Sequence, residues 1–134
     1  MSPLILSLAS GSKANCTLVS DGQTHILIDF GLSCRKINER LARYGLSLDS
    51  ISAVFLTHEH SDHVTGLEML CKKYHIPVYL NTASARSISS GGRCPNLSGC
   101  MKILDAGGEL FLNDLQILPF RTPHDACGDR KSVV

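Results

Sequence analysis

The chain has 134 residues, of which 43% are hydrophobic and 19% are charged, and its formal net charge is +1. This length is sufficient for one domain with a hydrophobic core. The near-neutral charge excludes a chain-wide electrostatic attraction to nucleic acid or membrane, although a local basic strip could still bind nucleic acid. No apolar run reaches transmembrane length, and the run at residues 4–9 lacks the basic lead-in of a signal peptide.

The first half of the chain shows alternating strand and helix signals. The predicted elements are a strand over 3–9, a hairpin of strands 16–20 and 24–29, a helix over 33–44, a strand over 52–57 and a helix over 66–74. The hairpin turns at Asp21–Gly22, which is a favoured pair for tight turns. Ser33 is a candidate cap for the first helix, which ends at Gly45.

The second half contains weaker helix signals and a second hairpin. We predict a strand over 76–80, a short helix over 82–88, a flexible loop over 89–99 and a hairpin of strands 110–112 and 115–122. The loop is predicted because this stretch is rich in Gly, Ser, Pro and Asn. The hairpin turns at Asn113–Asp114. Strands that alternate with helices, with hairpins near both ends, predict an α/β layered domain with a mixed sheet.

The most informative segment is His58-Glu59-His60-Ser61-Asp62-His63, directly after a predicted buried strand. Imidazole and carboxylate groups are suitable ligands for zinc and related divalent ions. In an extended segment, residues two apart point the same way, so His58 and His60 can bind one ion together. Asp62 and His63 follow as the chain turns towards a helix, and we expect them to face a second ion beside the first.

The alternative interpretation of this segment is a solvated loop in which Asp62 caps the following helix. Thr65-x-x-Glu68, however, matches a capping box of its own ahead of an apolar run. That assignment leaves Asp62 available for chemistry, so we favour the metal-binding interpretation.

Two residues elsewhere in the sequence are candidates for the same site. A catalytic zinc takes three protein ligands and leaves one position for water, and His124 would complete that number with His58 and His60. A surface histidine is the alternative for His124. Asp29 ends a predicted strand, and it either begins a turn or orients a metal-binding histidine by accepting its second N–H. We favour the orienting role.

The sequence contains six cysteines: Cys16, Cys34, Cys71, Cys94, Cys100 and Cys127. An even number suggests disulfides in a short secreted chain. Since no signal peptide is recognised, we expect free thiols and a cytoplasmic protein. Cys94 and Cys100 flank the predicted loop and could bind a metal or pair, but their spacing matches no zinc-knuckle pattern.

These motifs resemble the metallo-β-lactamase superfamily. His58-x-His60-x-Asp62-His63 matches its signature, Asp29 matches its acidic residue on an earlier strand, and His124 matches its third motif histidine. Within the superfamily the sequence is most similar to the WalJ (YycJ-type) exonuclease branch. The segments that carry this similarity are 7–12 with 15–16, 28–33, 57–63 with 66–67, and 119–120 with 124–126.

The resemblance implies an αββα sandwich with two divalent metal ions at one edge. His58, His60 and His124 would hold the first ion, and Asp62 and His63 the second. Zinc is the first choice of metal, with manganese or iron(II) as alternatives.

The resemblance also implies a bridging aspartate and a further histidine that this sequence lacks. We therefore expect residues 1–134 to form one domain that is incomplete at its carboxyl end, an N-terminal half of the sandwich. The strand segments 26–28 and 53–56 are apolar on both faces. If one sheet face is uncovered, self-association is expected.

The implied function is a metal-dependent hydrolase, and more narrowly a phosphodiesterase or DNA exonuclease with nucleic acid as substrate. A metal-activated water would be the nucleophile, and Asp62 would orient it and take its proton. One alternative is hydrolysis of a small ester, a thioester or a cyclic phosphodiester. Another is an inactive half-domain that binds at most one ion.

Overall fold

The computed structural model of the chain describes residues 4–9, 15–57, 64–90, 95–105, 107–112, 115–121 and 130–133. The strands are β1 (Leu4–Ala9), β2 (Cys16–Ser20), β3 (His25–Ile28), β4 (Ile51–Phe55), β5 (Val78–Leu80), β6 (Met101–Ile103), β7 (Leu110–Leu112), β8 (Leu115–Arg121) and β9 (Arg130–Val133). The helices are α1 (Cys34–Ala42), α2 (Val64–Tyr74), α3 (Thr82–Ser90) and α4 (Pro95–Cys100), and Leu48–Ser50 forms one turn of 3-10 helix.

The strands form two sheets. The larger sheet has the order β1-β2-β3-β4-β5-β6, antiparallel from β1 to β3 and parallel from β3 to β6. The smaller sheet has the order β7-β8-β9 and is antiparallel. The mixed α/β arrangement predicted from the sequence is therefore confirmed.

The central strands β3 and β4 of the larger sheet are covered on both faces, to which neighbouring residues of a strand point alternately. On one face, Leu27 and Val54 join a core that includes buried side chains of α1, α2 and α4. On the other face, Ile26 and Ala53 pack with Leu115 and Ile117 of the smaller sheet. The described residues thus form a helix layer, a central sheet and a second sheet.

The expectation that segments 26–28 and 53–56 would leave an uncovered face is wrong. Ile26 and Ala53 are fully buried, because β8 contributes Leu115 and Ile117 to that side of the sheet. Exposed apolar side chains lie elsewhere, with Ile5 of β1 at 66% exposure as the largest case. Self-association stays a prediction, without the argument from those two segments.

Local signals explain the first hairpin and the first helix. The Asp21 carboxylate accepts hydrogen bonds from the N–H groups of Gln23 at 2.9 Å and Thr24 at 2.6 Å, and Gly22 adopts a positive φ of 95°. The Ser33 hydroxyl accepts a hydrogen bond from the N–H of Lys36, as expected of an N-cap. The predicted turn and helix start are both confirmed.

Two local predictions are wrong. Residues 89–99 do not form one loop: α3 extends to Ser90, and α4 begins at Pro95, a residue favoured at the first position of a helix. Thr65 does not start α2 as a cap, because the helix already begins at Val64. The Glu68 carboxylate instead accepts hydrogen bonds from α4, which is a tertiary contact.

Strands β6 and β9 were not predicted. Both are short: β6 pairs with β5, and β9 pairs with β8. The turn at Asn113–Asp114 lies outside the described residues, although the strands that flank it pair as predicted. Within the described residues, no helix combines the length and the apolar character needed to cross a membrane.

Candidate metal centre

The parallel strands β3 and β4 end side by side. Ile28 is in register with Phe55, so the residues that follow each strand meet at one edge of the sheet. Asp29 comes directly after β3, and Thr57 comes two residues after the end of β4. The sheet therefore brings Asp29 beside the segment that leads into the histidine motif.

Asp29 binds Thr57 through its buried carboxylate. The backbone N–H and the hydroxyl of Thr57 both donate to Oδ1 at 2.7 Å, and the hydroxyl is also 2.7 Å from Oδ2. The N–H of Asp29 donates to the carbonyl of Phe55 at 2.7 Å. Asp29 has a φ of +65°, a left-handed conformation that aspartate tolerates better than most residues. Its side chain is thus fixed against the chain immediately before His58.

The predicted ligands themselves lie outside the described residues: His58, His60, Asp62, His63 and His124. The structure describes both flanks of the motif, Thr57 at the sheet edge and Val64 at the start of α2. It likewise describes β8, which ends at Arg121 ahead of His124. No group of three or more metal-ligating side chains occurs within the part of the chain that is described.

The donor set of the motif suits divalent ions, because it offers three imidazoles and the Asp62 carboxylate directly after Thr57, which is fixed at the edge of the sheet. The hydrogen bonds that the structure describes to the Asp29 carboxylate come from Thr57, the residue directly before the motif. The role of Asp29 as an acceptor for a ligand histidine stays a prediction.

Thr57 is a residue that the sequence analysis missed. Its signal was weak: a threonine at the end of an apolar strand is common, and nothing local indicates a partner. The partner follows from the register of two parallel strands, since Asp29 and Thr57 are 28 positions apart in the sequence.

The start of α2, directly after the motif, forms hydrogen bonds with α1 and with α4. The thiol of Cys34 in α1 donates to the carbonyl of Gly66 at 3.2 Å. Glu68 accepts hydrogen bonds from the N–H of Asn96 at 3.2 Å and the N–H of Leu97 at 2.9 Å, at the N-terminus of α4. Both flanks of the motif are therefore attached to the body of the fold.

The hydrogen bonds to Glu68 also change its acidity. Burial raises the pKa of the carboxyl, but the hydrogen bonds from Leu97 and Asn96 together outweigh this, and the pKa lies below its ordinary value. The charged form of Glu68 is thus the one that holds α4.

The described histidines outside the motif have other roles. His25 begins β3, at the end of the strand opposite to Asp29, and its Nδ1 lies 2.7 Å from the hydroxyl of Ser20. His75 follows the last residue of α2 in a left-handed conformation with φ of 53°, and it is exposed. His25 is thus held within the first hairpin, and His75 lies on the surface.

Comparison with known proteins assigns the family. The family model of the metallo-beta-lactamase superfamily matches residues 10–99. The chain is 32% identical over 120 residues to the exodeoxyribonuclease WalJ of Streptococcus pneumoniae, covering 89% of this chain and 45% of that protein. The values are the same to two figures for the exodeoxyribonuclease YycJ of Bacillus anthracis. The chain thus spans about 45% of the length of these curated relatives.

Solved structures agree on the fold. A metallo-β-lactamase of Cronobacter sakazakii with a HARLDQ motif superposes with a TM-score of 0.76 at 21% identity, covering 98% of this chain and 59% of that one. The Rm3 metallo-β-lactamase superposes with a TM-score of 0.75 and covers 98% of this chain and 55% of that one. The superposed part of this chain includes its two sheets and the helices that pack on the larger sheet. The chain belongs to the metallo-β-lactamase superfamily.

Proposed function

We propose that this chain supplies metal ligands to a hydrolase that cleaves phosphodiester bonds of DNA from a strand end. The observation that carries the proposal is the buried Asp29 carboxylate, which fixes Thr57 beside the first residue of a histidine-rich motif. The relatives named exodeoxyribonuclease support DNA as the substrate. Because the chain spans about 45% of their length, activity, substrate and partners are all part of the proposal.

In this proposal, His58, His60 and His124 hold one divalent ion, and Asp62 and His63 hold a second. Zinc is the proposed metal, with manganese and iron(II) as alternatives. When bound, such ions lower the pKa of a coordinated water and stabilise negative charge that develops on phosphoryl oxygens.

The protein side chains have separate tasks. Asp62 accepts a hydrogen bond from the attacking water, orients it and receives its proton. Asp29 restrains Thr57, so the backbone that enters the motif is ordered before substrate arrives. This lowers the entropy cost of assembling the ligands, which is a general requirement of a preorganised site.

The test is an assay of the purified chain with manganese or zinc. The substrates are single-stranded and double-stranded DNA labelled at one end, bis(p-nitrophenyl) phosphate, and a small thioester. We expect metal-dependent release of nucleotides from a DNA end, and loss of that activity on addition of a chelator. Cleavage within the strand, turnover of the thioester alone, or no turnover by folded, metal-loaded chain would each contradict the proposal.

Two variants separate the chemistry from the fold. Asp62→Asn is expected to lower phosphodiester turnover by at least about 100-fold, the size typical of a general base, with an unchanged urea midpoint of the metal-free chain in the presence of a chelator. His75→Asn is the matched control because it removes an exposed histidine and keeps a residue that tolerates positive φ. Equal losses in both variants would remove Asp62 from the mechanism.

A further inference from the structure

Two thiols lie together between α2 and α4, in the helix layer. Cys71 of α2 is buried in the core that the helices form with the larger sheet. Cys100, the last residue of α4, packs against the same core. Both are free cysteines. Helices α2 and α4 touch through Glu68 and Leu97, and both end shortly before the neighbouring parallel strands β5 and β6, so Cys71 and Cys100 lie at the same end of two helices in contact. The Cys71 thiol donates to the carbonyl of Ile76 at 3.9 Å.

Helix α4 is docked on α2 by hydrogen bonds at its N-terminus and by the buried side chain of Leu97. At its N-terminus, the side-chain amide and the N–H of Asn96, together with the N–H of Leu97, donate to Glu68 of α2. Glu68 and Cys71 are three positions apart in a helix and therefore lie on one face. The side chain of Leu97, between the two contacts, is fully buried. The approach of the two sulfur atoms is thus a consequence of how the helices dock.

We propose that Cys71 and Cys100 form a reversible disulfide by exchange with a low-molecular-weight disulfide, which covalently joins α4 to α2. The exchange needs no oxidant other than that disulfide, for which oxidised glutathione serves as the probe.

The exchange proceeds in two balanced steps. The Cys100 thiolate attacks one sulfur of oxidised glutathione and releases one glutathione thiolate, leaving a mixed disulfide. Cys71 then loses its proton to solvent and attacks the Cys100 sulfur, which releases the second glutathione thiolate. One disulfide is formed as one is reduced, and two electrons pass from the protein to glutathione.

The order of the steps follows from exposure and acidity. Cys100 is partly exposed and meets the small disulfide first, whereas Cys71 is buried. Burial raises the pKa of the Cys71 thiol, and Cys100 raises it further, with smaller contributions from the neighbouring Glu68 and Cys34. The second step is therefore slow at neutral pH and accelerates as pH rises.

Other described thiols are less suited to pairing with Cys71. The Cys34 thiol donates to the carbonyl of Gly66 at 3.2 Å, a closer contact than the 3.9 Å between the Cys71 thiol and the carbonyl of Ile76. Cys16 is in β2, within the central sheet. Cys94 lies outside the described residues, and the hypothesis that it pairs with Cys100 is a competing outcome of the test.

The test uses the full chain, reduced, freed of metal with a chelator and incubated with oxidised glutathione. Alkylation of remaining thiols and tandem mass spectrometry of a tryptic digest then identify the linked residues, and fragmentation is needed because Cys94 and Cys100 share the tryptic peptide 94–102. We expect a Cys71–Cys100 peptide in the wild type and in Cys34→Ala, and a mixed disulfide or free Cys71 in Cys100→Ala. Formation should be several-fold faster on raising the pH by one unit, and the urea midpoint of the oxidised chain should rise.

Three results would overturn the proposal. A disulfide between Cys94 and Cys100, which would lie within the single peptide 94–102, would assign the reactive pair differently. A Cys100–glutathione adduct that persists at high pH would show that Cys71 does not reach it. Equal loss of the linked peptide in Cys34→Ala would make Cys34 a participant. Mapping of the wild type decides the first two results without any variant, and a disulfide of Cys34 in the wild type would likewise show that Cys34 takes part, so the conclusion does not depend on how well a variant folds.

Discussion

The carboxylate of Asp29 accepts hydrogen bonds from both the backbone N–H and the hydroxyl of Thr57, each at 2.7 Å. Both residues are buried, so each bond forms away from competing water. The pair joins the end of β3 to the end of β4 at the point where the histidine motif begins. Hydrogen bonds to a carboxylate are stronger than those between neutral groups, so this pair stabilises the edge of the sheet where the motif begins.

Removal of the Thr57 hydroxyl should weaken the fold and the proposed site together. In Thr57→Val the backbone hydrogen bond to Asp29 remains, but a buried carboxylate loses one donor. We expect the free energy of unfolding to fall by about 1–3 kcal/mol, measured by urea denaturation in the presence of a chelator. Metal affinity should fall as well, measured by titration.

Thr57→Ser is the matched control for that change because it keeps the hydroxyl. Its unfolding free energy should fall by no more than about 1 kcal/mol, the size expected for one lost methyl group. A serine variant as unstable as the valine variant would show that the methyl packing of Thr57, and not its bond to Asp29, matters at this edge.

Elements with local signals were the ones predicted correctly from the sequence. The turn at Asp21–Gly22 and the Ser33 cap each depend on residues within three positions of one another. Helix α4 was missed because its stabilising contacts are tertiary: Leu97 is buried under other elements, and Glu68 reaches it from 29 positions away. A Gly- and Ser-rich composition cannot indicate such contacts.

The same distinction applies to the site. The histidine motif was recognisable because its residue types are unusual within a short segment. The hydrogen bonds of Asp29 were not predictable, since they depend on the register of β3 against β4. The sequence pointed to Asp29 as a residue of the candidate site. The structure shows that its carboxylate accepts hydrogen bonds from Thr57.

Loss of a motif histidine should release metal. In His58→Ala or His60→Ala, we expect the metal-to-protein ratio of purified chain to fall by at least half, because the two side chains are proposed to share one ion. Elemental analysis after gel filtration measures this ratio. His25→Ala is the control, since His25 lies at the far end of β3 with Ser20 as its partner. Equal metal loss in all three variants would refute the ligand assignment.

Acid should weaken the docking of α4 through Glu68. The pKa of Glu68 in the folded chain lies below its ordinary value of 4.5, so its contribution to stability is present above that value and is lost as pH falls through the folded pKa. Glu68→Gln lacks this contribution. The difference in urea midpoint between wild type and Glu68→Gln should be largest at about pH 7 and shrink towards about pH 3.

Glu39→Gln is the control for this pH series. Glu39 lies on the surface of α1 at 3.6 Å from Arg35, and both side chains are mostly exposed. Such pairs contribute little to stability, so this variant should follow the wild type at every pH. A constant difference between wild type and Glu68→Gln across the series would show that the charge of Glu68 is not what holds α4.

The packing of the smaller sheet against the larger one should depend on Ile117. This side chain is fully buried in β8, where it packs with Ile26 and Ala53 of the larger sheet. Ile117→Ala would leave a cavity there, and we expect the free energy of unfolding to fall by about 2–5 kcal/mol. Phe111 of β7 is 60% exposed, so Phe111→Ala should change it by no more than about 0.5 kcal/mol. Urea denaturation measures the free energy of unfolding of both variants.

A small effect of Ile117→Ala would mean that the smaller sheet does not cover the central one in solution. The apolar face over residues 26 and 53 would then be open, and light scattering should detect the self-association that such a face favours.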